Sequence, residues 1–65
     1  MGSTYSSRQV IKFLEAEGWY CIAIEGDHHQ FKHPTKKGKV TVPHPKKELR
    51  RYEISSIRKQ SGLNF

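Results

Sequence analysis

Only one cysteine, Cys21, stands among the 65 residues. No disulfide can form within the chain, and a reducing, cytoplasmic setting is expected. Long apolar runs are equally scarce. No stretch approaches the roughly 18 residues a membrane-crossing helix needs, and the N-terminus lacks the basic flank and apolar segment of a secretory signal. A soluble protein with no membrane partner is expected. Val, Ile, Leu and Phe number only 14, a share of about 22% that lies near the level at which charged chains stay disordered. So short a chain excludes two cores, a dinucleotide-binding sheet or a barrel enzyme. Its thin core barely outweighs the entropy of ordering, so help from an oligomer or a protein partner is expected. Met1–Thr4 reads as an expression scar, which leaves 5–65 as a single domain.

What the chain has in excess is positive charge, with 12 Lys and Arg against 6 Asp and Glu. The surplus is uneven. From Met1 to Phe31 two bases meet four acids, a net of −2, whereas from Lys32 to Phe65 ten bases meet two acids, a net of +8. A field this one-sided favours a polyanionic partner, nucleic acid first, with an acidic protein surface as the alternative.

Local signals divide the chain into five elements. Ser6 with Gln9 three residues on is a capping box, and Val10, Ile11 and Leu14 follow at helical spacing, predicting a helix from Ser7 to Glu17 stopped by Gly18. Trp19 to Ile24 is apolar, aromatic and too short for another helix, so it reads as a strand. Cys21, within that run, is expected to act as a small core residue. Glu25-Gly26-Asp27 is turn chemistry, His28 to His33 alternates until Pro34, and Lys39 to Val42 alternates until Pro43. From Arg51 to Ser61, Ile54 and Ile57 sit one turn apart and Gly62 supplies a stop. The order α-β-β-β-α with short connections predicts an α+β fold. Three antiparallel strands carry both helices on one face, burying Val10, Ile11, Leu14, Phe31, Val40, Val42, Ile54 and Ile57. Trp19 is expected in the core as well.

Four histidines, His28, His29, His33 and His44, crowd one stretch. A zinc site fits poorly, because His29 and His33 on one strand lie about 13 Å apart at about 3.3 Å per residue, and His28 and His29 point to opposite faces. No cofactor or metal is expected. Phe31 is the best core candidate of its strand, so alternation places His28, Gln30 and Lys32 on the open face. An exposed imidazole there suits RNA cleavage: the 2′-hydroxyl of RNA attacks its own phosphate once a base takes its proton and cations offset the developing charge. Lys32 or Lys39 would supply that charge. Lys36, Lys37 and Lys39, then Lys46 and Lys47 with Arg50 and Arg51, flank the third strand as two basic clusters suited to phosphates. His33 and His44 read as polar residues at strand ends.

These segments together resemble one family. Ser7 through Glu15, the Glu17-Gly18-Trp19 corner, Gly26 through Pro34, Val40-Thr41-Val42-Pro43-His44-Pro45 and the ending Ile54 through Leu63 are similar to the HicA toxins, small mRNA interferases of bacterial and archaeal toxin–antitoxin modules. The resemblance implies a fold like that of a double-stranded-RNA-binding domain. It also implies metal-free, ribosome-independent cleavage of RNA, and inhibition by a HicB-type antitoxin that covers the active site. The family's catalytic histidine lies in a Gly-Ser/Thr-His element that maps onto Gly26-Asp27-His28, which makes His28 the implied catalytic residue and His29 its alternate. Asp27 departs from that pattern, placing a carboxylate beside the imidazole where it attracts a protonated ring and repels phosphate. The family's Lys-Lys-Asp/Glu-Leu maps onto Lys46-Lys47-Glu48-Leu49, while Arg50-Arg51-Tyr52 replaces its usual Pro-Lys-Gly. The implied RNA contacts are Lys32, Lys36, Lys37, Lys39, Lys46 and Lys47. A non-catalytic RNA-binding module of the same fold is the alternative function.

Overall fold

The computed structural model describes residues 4–65, so Met1–Ser3 of the expected scar lie outside the described residues. The chain forms α1 (Ser7–Ala16), β1 (Tyr20–Glu25), β2 (His28–Lys32), β3 (Val40–Pro43) and α2 (Arg51–Ser61). The three strands make one antiparallel sheet in the order β1-β2-β3.

Each element begins and ends for local chemical reasons. Ser6 Oγ accepts from the Gln9 amide at 3.2 Å and Gln9 Oε1 accepts from the Ser6 amide at 2.9 Å, satisfying two of the orphan donors at the start of α1. Past the end of α1, Gly18 takes φ +96°, and the Trp19 amide returns to the Leu14 carbonyl at 3.0 Å. The β1–β2 hairpin turns on two residues, Gly26 and Asp27, between the paired Glu25 and His28, and Gly26 takes φ +61°. Such a tight turn needs positive φ, which glycine reaches without a Cβ clash. At α2, Glu53 Oε1 accepts from the Arg50 amide at 2.6 Å, and the Gly62 amide closes the other end on the Arg58 carbonyl at 2.8 Å.

Register explains the core. Phe31 pairs with Val40 and His29 with Val42, so these side chains share the face that the helices cover. Val10 and Leu14 of α1, Ile54 and Ile57 of α2, and Trp19 and Leu49 complete one cluster with Phe31, Val40 and Val42. Each such side chain contributes about 1.5–3 kcal/mol on burial. Ile11 is only partly buried, and Leu49 joins the core from the segment before α2. The expected role of Cys21 is corrected: it is exposed. A bulge between Cys21 and Ala23 breaks the alternation of β1, and the helices pack against β3 at the other edge of the sheet, leaving Ile22 and Ile24 exposed as well. Tyr5, Phe13 and Phe65 form a separate trio, with ring centroids 5.1–5.6 Å apart, that ties both ends of the chain to α1.

Candidate functional site

The four histidines adopt four different environments. His28, the first residue of β2, is exposed, with Nδ1 3.8 Å from Asp27 Oδ1. It lies opposite Pro43 and opens onto a cleft of about 280 Å³ lined also by Thr41, Pro43, Tyr52, Glu53 and Ser56. His29, on the opposite face, packs edge-on against His44 with ring centroids 4.8 Å apart.

His33 is a structural brace. Its Nδ1 faces the Thr35 and Lys36 amides at 3.1 Å each, and amides only donate. The ring proton therefore sits on Nε2, which donates to the Glu17 carbonyl at 2.8 Å. One imidazole thus clips the end of α1 to the loop that carries Lys36 and Lys37.

His44 is held from two sides. Its amide donates to the Asp27 carbonyl at 2.7 Å, joining the end of β3 to the hairpin turn that presents His28. Its Nδ1 lies 2.6 Å from Ser7 Oγ, which also accepts from the Lys46 amide at 2.9 Å and lies 3.1 Å from the Lys46 carbonyl. The peptide bond to Pro45 is cis. Burial first, then the neighbouring His29 and Arg8, disfavour the imidazolium and hold the His44 pKa below 6.5.

The lysines separate into two places. Lys32 lies four residues along β2 from His28, about 13 Å at about 3.3 Å per residue. Lys36, Lys37 and Lys39 belong to the β2–β3 connection at that same far end of the sheet, all exposed. The structure therefore does not set Lys32 or Lys39 beside the His28 ring. Lys47 lies near the His44 end, in a cleft of about 340 Å³ shared with Ser6, Ser7, Arg8, His44, Pro45 and Lys46. Lys46 Nζ contacts both carboxylate oxygens of Glu53 at 2.9 and 3.0 Å, so the charge it offers a phosphate is shared. Partial burial raises the Glu53 pKa, but the Arg50 amide and Lys46 outweigh it and leave the carboxyl below 4.5.

Residues 7–63 match the family model described as HicA toxin of bacterial toxin–antitoxin systems. The chain belongs to the HicA toxin family. No curated protein matches it. The match spans α1 through the stop after α2, so every candidate residue of this HicA-family chain falls within it.

Sequence reasoning missed Ser7, Arg8, Tyr52, Ser56 and Glu53 as neighbours of the histidines. Tyr52 and Ser56 are four apart on α2, so they share a face next to the Ile54–Ile57 stripe. That spacing was the available signal. Ser7 and Arg8 had none, because they meet His44 across 37 and 36 positions of chain. Among the described residues, no group of three or more His, Cys, Asp or Glu side chains gathers to hold a metal ion, and no helix is long and apolar enough to cross a membrane.

Proposed function

We propose that this toxin-family chain is an endoribonuclease that cleaves mRNA in the cytoplasm by acid–base chemistry at His28, and that a HicB-type antitoxin neutralises it by covering that site. One observation carries the reading. Of the four histidines, His29, His33 and His44 are committed to ring packing or hydrogen bonds, while His28 projects from the open sheet face beside a cleft. An exposed imidazole can take up and return a proton in acid–base catalysis.

His28 takes the proton of the 2′-hydroxyl, the 2′-oxygen forms a bond to the adjacent phosphorus, and the P–O5′ bond breaks. The departing 5′-oxygen takes a proton from water, the hydroxide so formed is neutralised by the proton that His28 releases to solvent, and a 2′,3′-cyclic phosphate is left. RNA brings its own nucleophile, so the route requires no metal. Lys32, Lys36, Lys37 and Lys39 lie too far along the sheet to touch the scissile phosphate; their place is on neighbouring phosphates of the same strand. Lys47 and Arg8, with Lys46 partly neutralised by Glu53, hold the strand near the His44 end. These contacts release counterions, so binding weakens steeply with salt.

Purified protein is expected to cut single-stranded RNA in EDTA with cyclic-phosphate ends, and His28→Ala to lose cleavage and cellular toxicity while keeping its fold by circular dichroism. Full cleavage by His28→Ala, with loss in His29→Ala, would move the role to His29. Salt-sensitive binding that leaves RNA intact would favour the non-catalytic RNA-binding module.

A further inference from the structure

The cleft beside His28 has features that proton transfer leaves unexplained. Tyr52, in the first turn of α2, is 69% exposed and stands outside the core cluster. None of the aromatic pairs among the described residues includes it. Tyr52 nevertheless borders the same cleft as His28, together with Pro43, Thr41 and Ser56. No lysine or arginine lines this cleft. The one charged group there is Glu53, a carboxylate held ionised by Lys46 and the Arg50 amide. With Glu53 paired to Lys46, the space offers a phosphate no free cation, whereas a flat, uncharged, hydrogen-bonding group suits it.

We propose that this cleft is a nucleobase subsite. The base adjoining the phosphodiester presented to His28 stacks on Tyr52, and the hydroxyls of Ser56 and Thr41 meet its polar edge. The proposal rests on the reading of His28 as the RNA-cleaving residue and adds to it the group that seats the substrate. A base stacked on an aromatic ring keeps its face satisfied whatever its identity, and neighbouring hydroxyls then grade the preference among bases. The basic residues lie outside the cleft, so the strand's phosphates and its seated base occupy different parts of the surface, as a single strand with an unstacked base requires.

The test uses the full chain and a short single-stranded RNA carrying one 2′-deoxyribose at the cleaved position, which removes the nucleophile and keeps the bases. Titration into the wild-type protein is expected to shift the NMR signals of the Tyr52 ring and the Ser56 amide. Tyr52→Ala should weaken binding about 5- to 150-fold, as loss of one base–aromatic stack predicts, and raise KM on cleavable RNA while spreading the cleavage sites. Tyr52→Phe should restore most of the affinity. Because Tyr52 is exposed, both variants should fold, which circular dichroism checks.

Unchanged affinity and unchanged cleavage sites in Tyr52→Ala, with cleavage still dependent on His28, would overturn the subsite and leave the His28 reading intact. Undiminished cleavage by His28→Ala, with Tyr52→Ala still weakening binding, would overturn the catalytic assignment and support the subsite. Absence of any shift at Tyr52 and Ser56 on saturation with the RNA would also overturn the subsite.

Discussion

Two adjacent serines offer a sharp test of how the site is held. Ser6 is the visible N-cap of α1, and its replacement by Ala removes the acceptor for the Gln9 amide, a loss of about 1 kcal/mol for a typical cap. Ser7 carries no such signature, yet it is 1% exposed, and its hydroxyl meets the Lys46 amide, the Lys46 carbonyl and His44 Nδ1. Ser7→Ala leaves the Lys46 amide without that acceptor and His44 Nδ1 without its partner. A buried polar group left unsatisfied costs about 1–3 kcal/mol. His44 is only half-buried and recovers part of its loss from water, so the sum is about 2–4 kcal/mol.

A domain of this size has a total stability of about 3–10 kcal/mol, so Ser7→Ala removes a large fraction of it. At about 4–8 °C per kcal/mol for a small domain, thermal melts by far-UV circular dichroism should fall by about 10–25 °C for Ser7→Ala and about 4–8 °C for Ser6→Ala. The order of the two variants matters more than either value. If Ser6→Ala melted as low as Ser7→Ala or lower, the claim that Ser7 pins the His44–Lys46 segment would be wrong.

Gly18→Ala should be costly for two reasons. Its φ of +96° adds about 1–2 kcal/mol for a residue with a Cβ, and that Cβ would stand 2.9 Å from His33 Nε2, displacing the ring from the Glu17 carbonyl. Combining it with His33→Ala should cost less than the sum of the single variants; additivity within about 0.5 kcal/mol in urea melts would refute the shared contact. His44 gives a pH dependence. Its folded pKa lies below 6.5, so the unfolded chain binds the proton more readily, and stability is full above about pH 6.5 and falls as pH drops through the folded value. His44→Gln should flatten the melting temperature between pH 7 and 5, and an unaltered slope would count against this. Lys46→Gln leaves the Glu53 carboxylate without its cation, with an expected loss of about 1–2 kcal/mol for a partly buried pair. The Glu53 pKa is depressed, so that contribution is present above about pH 4.5 and disappears as pH falls through the folded value. The gap between variant and wild type should therefore close in acid.

Elements with local causes were legible in the sequence. The Ser6–Gln9 box, the stop at Gly18 and the Ile54–Ile57 stripe each lie within one helical turn, and α1 and α2 follow them closely. What was hidden depends on distant chain. Leu49 sits among Lys46, Lys47, Glu48, Arg50 and Arg51, where no apolar period shows it, and its amide bonds the Tyr5 carbonyl at 2.8 Å. Cys21 looked internal because its neighbours are apolar, but burial of a strand depends on what covers it, and the helices lean on β3. Alternation did place His28 and His29 on opposite faces, since period two is a property of the strand itself. It could not show that His29 would meet His44, or that Tyr52 would stand across the cleft from His28.

The scarcity of apolar residues bears directly on the site. A chain with so small a core has few large side chains with which to lock its loops by packing, and here polar contacts hold the loops around the histidines. The Asp27 carbonyl takes the His44 amide, Ser7 takes the Lys46 amide, and Glu53 takes Lys46 Nζ and the Arg50 amide. These bonds run in sequence from the hairpin turn through the end of β3 to the first turn of α2. They fix the spacing between His28, at one end of the series, and Tyr52, beside the other. Such a chain of polar contacts is cooperative: removing one member frees the next. Substitutions at the buried Ser7, or at Lys46 or Glu53, are therefore expected to disturb the same cleft that His28 and Tyr52 share.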